Sequence, residues 1–112
     1  MQLVSIIILL TLTVIIHSLW MFIVLKFIDL QTDSVVRIVF RNVAIVISML
    51  FAHLLEASLF GGFYLLSGAL HDWNISFYFS LVSYAMVGYG DVTLLEHWRL
   101  SGGIEGLVGA LM

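Results

Sequence analysis

Tyr78-Phe79-Ser80-Leu81-Val82-Ser83-Tyr84-Ala85-Met86-Val87-Gly88-Tyr89-Gly90-Asp91-Val92 is the stretch on which the reading of this chain turns. It joins a segment rich in aromatic and hydroxyl side chains to a run with glycine at alternate positions, Gly88 and Gly90. The aromatic segment reaches back to Asp72 and spans 14 residues to Ala85. A helix needs about 20 apolar residues to cross a bilayer, so this one suits a re-entrant or interfacial segment. Backbone inside hydrocarbon is helical or barrel-like unless protein or a water-filled cavity lines it. A non-helical Gly-Tyr-Gly directly after such a segment therefore needs a purpose. Alternating glycines reach torsions closed to other residues, which lets successive carbonyls point the same way.

The flanking sequence is that of a membrane protein. Leu3 to Leu25 is a run of 23 residues without Asp, Glu, Lys or Arg. At 1.5 Å per residue it reaches about 34 Å, enough to cross a ~30 Å hydrocarbon core with some tilt. Val43 to Leu66 is a second hydrophobic span, interrupted by His53 and Glu56. Between the two lies the most polar stretch, Lys26 to Arg41, expected as a loop leading into the start of the next helix, with Thr32, Asp33 or Ser34 as candidate N-caps. After the glycines come a polar turn, Glu96-His97-Trp98-Arg99, and a glycine-rich apolar stretch, Leu100 to Met112. That stretch reaches only about 20 Å as a helix and reads as a membrane helix cut off partway.

Composition points the same way. Hydrophobic residues make up 62% of the 112 and charged residues 10%. Soluble domains hold roughly 45–50% and about 25%, and so small a body cannot hide the excess apolar surface. There is no cysteine, hence no disulfide framework or thiolate chemistry. A net charge of −3 argues against nucleic acid as a partner. No Lys or Arg precedes Lys26, so the basic start of a cleavable signal peptide is missing and the first span is expected to be retained. Lys26, Arg37 and Arg41 lie in the first loop and none lies in 67–83, which puts that loop in the cytoplasm and the N-terminus outside.

The stretch from Tyr78 to Val92 resembles the pore helix and selectivity filter of the potassium channel superfamily. The order span, span, pore loop and partial span extends the likeness to short bacterial ion-channel proteins with two helices before the pore and one after. The resemblance implies an all-α membrane protein: a single pore domain over 1–112, with spans at 3–25 and 43–66, a pore helix at 73–86, a filter at 87–91 and an inner helix starting over 99–112. It implies passive permeation of potassium down its gradient, with K+ as the permeant ion and no organic cofactor. Four filter strands around one axis make stacked carbonyl rings that replace an ion's hydration shell, so the partners implied are three further copies, a homotetramer in a lipid bilayer, and the resemblance implies a bacterial cell membrane. The filter positions are Met86, Val87, Gly88, Tyr89 and Gly90, with potassium at the carbonyls of Val87, Gly88 and Tyr89. Gly90 and Asp91 would close the outer mouth, Asp91 bracing the filter from behind. The Tyr89 ring is expected to pack against Tyr78 or Phe79.

Met86 departs from the family pattern, which has threonine there. It keeps its carbonyl, loses a hydroxyl, and brings a thioether to the inner entrance. Four such groups could narrow or dewet the path, as hydrophobic gates do.

Glu56 is costly inside a span, by about 2.5–3.5 kcal/mol on insertion scales. His53, three residues earlier, shares its helix face. Glu56 falls about 20 Å from the inner boundary, His53 about 15 Å and His17 about 12 Å. The favoured reading is structural, Glu56 hydrogen-bonding the pore helix or the Asp91 region. In the family a carboxylate often stands behind the filter, and the pore-helix position that can carry it is Val82 here. The alternatives are a pH or gating sensor, or a metal or proton site made by His53, Glu56 and His17. His71, Glu96 and His97 read as solvated loop groups, and Trp20, Trp73 and Trp98 as interfacial anchors. Gly102, Gly103, Gly106 and Gly109 permit close helix packing or a hinge. No catalytic triad, phosphate loop or zinc-ligand set can be assembled, so an enzyme is not expected. A weakly selective or non-conducting pore-like subunit is the second reading, and a transporter centred on His53 and Glu56 the third.

Overall fold

The computed structural model describes residues 2–28 and 34–112. Two long apolar helices come first, α1 (Gln2–Phe27) and α2 (Val35–Leu66), and both are long and apolar enough to cross a membrane. On α1, Ile6 and Thr13 are buried, while Leu3, Ile7, Phe22 and Leu25 face outward. A helix so apolar on its outer surface has lipid as its natural solvent. The two helices pair in antiparallel fashion. Trp20 Nε1 donates to Ser48 Oγ at 2.8 Å near one end, and His17 meets Glu56 further along.

The second helix is longer than its apolar run. Its 32 residues measure about 48 Å, against a hydrocarbon core of ~30 Å. Arg37 and Arg41 therefore sit on the helical turns that precede the apolar span, at the same end of the hairpin as Lys26. Ser34 is the N-cap, with extended backbone and no side-chain capping bond. Thr32 and Asp33, the other two candidates, lie outside the described residues.

At the far end of α2 the Ser67 amide donates to Phe63 O and the Gly68 amide to Leu65 O, and Gly68, at φ 74°, turns the chain. α3 (Trp73–Tyr84) then runs back along α2. Asp72 caps it, accepting from the Ile75 amide at 3.1 Å. The helix ends at Tyr84, two residues before the expected Met86. The cause is local: Met86 has φ 55°, which no right-handed helix accommodates. Residues 85–91 turn away, a short 3-10 turn follows at Glu96–Trp98, and α4 (Arg99–Leu111) descends beside α3.

The three helices α2, α3 and α4 share a core of Ala57, Phe60, Tyr64, Tyr84, Leu94, Trp98 and Val108. Its aromatic rings meet edge to face, Tyr64 on Phe79 at 5.3 Å and Phe63 on Trp98 at 5.7 Å. Such pairs contribute about 0.5–1.5 kcal/mol beyond area burial. Trp98 is thus a core residue, whereas the sequence reading assigned it to an interface. Gly102 and Gly106 present their bare α-carbons to Phe79 and to the Ser83 carbonyl, so α4 seats on α3 through small residues. Gly103 faces open space and takes no part in that packing.

Candidate functional site

The site grows out of the C-terminal end of α3. An α-helix leaves its last carbonyls without intrahelical partners, and here the following segment supplies donors for them. The amides of Val87 and Gly88 both donate to Val82 O, at 2.9 and 3.3 Å, and the Met86 amide donates to Ser83 O at 3.0 Å. The chain from Met86 to Gly88 is therefore hung from the end of α3. That end carries the negative pole of the helix dipole, equivalent to roughly half an elementary charge, and favours cations.

Backbone torsions along the segment alternate. Met86, Gly88 and Gly90 have positive φ, at 55°, 57° and 76°, and Val87 and Tyr89 between them do not. In an ordinary strand, successive carbonyls point to opposite sides. Moving every second residue into the left-handed region reverses that alternation and brings successive carbonyls to one side. Two of the three left-handed positions are glycine, which adopts them freely. The third is methionine, which carries a cost of about 1–2 kcal/mol for its Cβ. Met86 is 65% exposed and Tyr89 71%.

The outer end of the segment is held by a hydrogen bond. Tyr78 OH donates to Asp91 Oδ2 at 2.6 Å, and the Val92 amide donates to Asp91 Oδ1 at 3.1 Å. The bond from Tyr78 is the chief reason the Asp91 carboxyl is held below the usual carboxylate range. The same bond raises the Tyr78 phenol above its ordinary value. Behind the segment lies a cavity of about 250 Å³, bordered by Tyr78, Phe79, Val82, Gly88, Gly90 and Asp91 among others.

The Tyr89 ring stands exposed, while Tyr78 engages Asp91. Phe79 is edge-on to Tyr64 and against Gly102, so it seats α4 while bordering the cavity behind the segment.

Two buried carboxylates stand behind the pore-side elements. Glu56 is fully buried, accepts from Tyr84 OH near the end of α3, and pairs with His17 Nδ1 at 3.1 Å and His53 Nδ1 at 3.3 Å. It thus meets α3 at its C-terminal end, while the Asp91 region, the other expected partner, is served by Tyr78. His17, His53 and Glu56, far apart in sequence, are brought together.

The second carboxylate, Glu105 on α4, was not picked out from the sequence. It is fully buried at the junction of three helices. Tyr64 OH donates to its Oε2 at 2.8 Å, and Ser80 Oγ pairs with its Oε1. Ser80 Oγ also donates to the Ala57 carbonyl at 2.6 Å. A signal existed: Glu105 is the one charged residue after Arg99, in an otherwise apolar glycine-rich stretch, and such residues face a protein interior by default.

No curated protein and no solved structure matches the chain. A family model described as "Ion channel" matches residues 48–112, from the middle of α2 through the filter-like segment to the end of α4, leaving out α1. That is more than half of the 112 residues, and it covers the elements that build the site: the protein belongs to this ion-channel family.

Proposed function

We propose that this chain is one subunit of a potassium-selective channel, a homotetramer in which four copies of residues 86–90 surround a common axis. The observation that carries the reading is the alternation of left-handed torsions at Met86, Gly88 and Gly90, in a segment tied to the negative end of α3. Carbonyls of Val87, Gly88 and Tyr89 on one side, repeated by four subunits, supply stacked oxygen rings of the kind that replace the hydration shell of K+. Membership of an ion-channel family supports permeation as the activity. The exposed Tyr89 ring fits burial against a neighbouring subunit, which would supply the packing that one chain lacks. Asp91, held ionised by Tyr78, places a negative charge at the outer mouth.

The orientation is that of a bacterial cell-membrane protein with its N-terminus outside. Lys26, Arg37 and Arg41 gather at one end of the α1–α2 hairpin, the end expected in the cytoplasm. Arg99 lies at the opposite end, where its Nε donates to Leu94 O at 3.4 Å.

A second reading, a weakly selective or non-conducting pore-like subunit, is favoured by Met86 alone. Its side chain is exposed at the foot of the segment, where four thioethers would ring the axis and resist wetting. Flux of potassium against sodium through the purified protein in liposomes separates the two, with Met86→Thr alongside. Potassium-selective flux in the unaltered protein, increased by Met86→Thr, is the expected result. Flux that appears only in Met86→Thr establishes the second reading, and equal sodium and potassium flux overturns potassium selectivity. Silence from both, with the protein folded and inserted, overturns the channel assignment.

A further inference from the structure

His17 on α1 and His53 and Glu56 on α2 each turn one ligand atom toward a common point, and these atoms all lie within 4.8 Å of one another. The two imidazoles are stacked, with centroids 5.4 Å apart. Each directs Nδ1 at a different oxygen of one carboxylate, His17 at Oε1 and His53 at Oε2. Glu56 is fully buried, His17 nearly so, and His53 is partly open. His53 and Glu56 are one helical turn apart on α2, which gives two ligands from one rigid element and a third from another.

We propose that His17, His53 and Glu56 form a binding site for a divalent transition metal of the zinc class. Zinc takes imidazole nitrogen and carboxylate oxygen at about 2.0–2.2 Å, and two ligands at a tetrahedral angle then stand about 3.4 Å apart. The nitrogen–oxygen separations, 3.1 Å from His17 to Oε1 and 3.3 Å from His53 to Oε2, are each close to that span, one imidazole for each carboxylate oxygen. Held together by hydrogen bonds alone, both rings would have to carry their single proton on Nδ1 and direct it at the same carboxylate. A cation replaces those protons without moving the residues that hold them. Two nitrogen ligands select zinc, cobalt, nickel or copper over calcium, magnesium or potassium, which prefer all-oxygen sites.

The surroundings fit as well. Tyr84 OH donates to Glu56, an outer partner of the kind that orients metal-bound carboxylates. It also lies 3.5 Å from His53 Nδ1, beside the fourth coordination position. A groove of about 280 Å³ runs from Ala85 and Gly109 past Tyr84 to His53 and provides access. Metal here clasps α1, the helix outside the ion-channel match, to α2 directly behind the foot of α3.

The test needs no ion flux, so its outcome is independent of the proposed conduction. The whole chain is purified in detergent, stripped with a chelator, and carries His71→Ala and His97→Ala to remove two exposed imidazoles. Co2+ is titrated in and its visible absorption recorded; Zn2+ is counted by equilibrium dialysis. Expected are about one equivalent per chain and the intense bands of four-coordinate cobalt with nitrogen ligands. Tyr84→Phe lowers affinity about 10–100-fold, as loss of an outer partner does. His53→Ala and Glu56→Gln abolish binding. A weak six-coordinate spectrum in the protein with the cluster intact, or no uptake by it when folded, overturns the proposal whatever the cluster variants do. So does unchanged uptake by a folded His53→Ala protein.

Discussion

Gly109 faces the carbonyl of Tyr84 so closely that no side chain fits between them; a Cβ on Gly109 would collide with the Tyr84 carbonyl oxygen and carbon. The obstacle is backbone, which cannot swing aside as a flexible side chain does. The contact sets how near α4 comes to the end of α3, and hence to the foot of the filter-like segment. Gly109→Ala is expected to separate the two helices and cost several kcal/mol, in the range of backbone-level core disruption. Gly103→Ala, on the same helix but facing open space, gains about 0.5–1 kcal/mol from helix propensity. Thermal unfolding of the two variants in detergent checks the contrast, and similar midpoints would remove the close-packing argument.

Tyr78→Phe deletes the hydroxyl that holds the Asp91 carboxyl down. The carboxyl is depressed in the folded protein, so its stabilising contribution is complete above the unfolded value of about 3.9 and fades as pH falls through the lower folded value. Without Tyr78 OH the folded value moves back up toward the ordinary one. The gap between the unfolded and folded values narrows, so Tyr78→Phe is expected to be less stable near neutral pH and to lose less stability on acidification below about 3.9. Melting midpoints recorded down an acid series check the sign; a steeper acid loss in Tyr78→Phe would contradict it.

Glu105 and Ser80 pose a proton count. The Ser80 hydroxyl has one proton, given to the Ala57 carbonyl, yet it also pairs with Glu105 Oε1. The count closes when the proton between Ser80 and Glu105 belongs to the carboxyl. Glutamine reproduces that pattern, with an amide N–H toward Ser80 and a carbonyl toward Tyr64. Glu105→Gln is therefore expected to stay within about 1 kcal/mol of the unaltered protein, and Glu105→Ala to lose about 2–4 kcal/mol by orphaning buried hydroxyls and opening a void. Chemical unfolding of the two variants measures the difference. Equal losses would show that the buried charge itself is needed.

The parts of the fold that could be read in the sequence are those whose cause is local. The apolar runs of α1 and α2, the short aromatic helix and the glycine alternation each declare themselves within about twenty residues. Glu56 was legible because a carboxylate inside a long span is costly and needs a partner. Its partners were only half legible: His53 shares its helix face, whereas His17 and Tyr84 come from other helices. Glu105 lay in a stretch already read as the start of an inner helix; what escaped was its pairing with Tyr64 and Ser80, which two other helices bring to it. The start of α2 was legible from its capping residue, Ser34, even though Arg37 and Arg41 lie outside the apolar run; arginine is a good helix former.

The pairing of the Val87 and Gly88 amides with a single carbonyl, that of Val82, also determines the sign of the charge this backbone can welcome. A peptide chain is even-handed, one donor for each acceptor, and an unoccupied loop of this kind could wrap a chloride ion as readily as a metal cation. Here two adjacent donors, the amides of Val87 and Gly88, are occupied by the end of a helix. A chain that has committed these donors to its own helix has fewer left to offer an anion, before any side chain is considered.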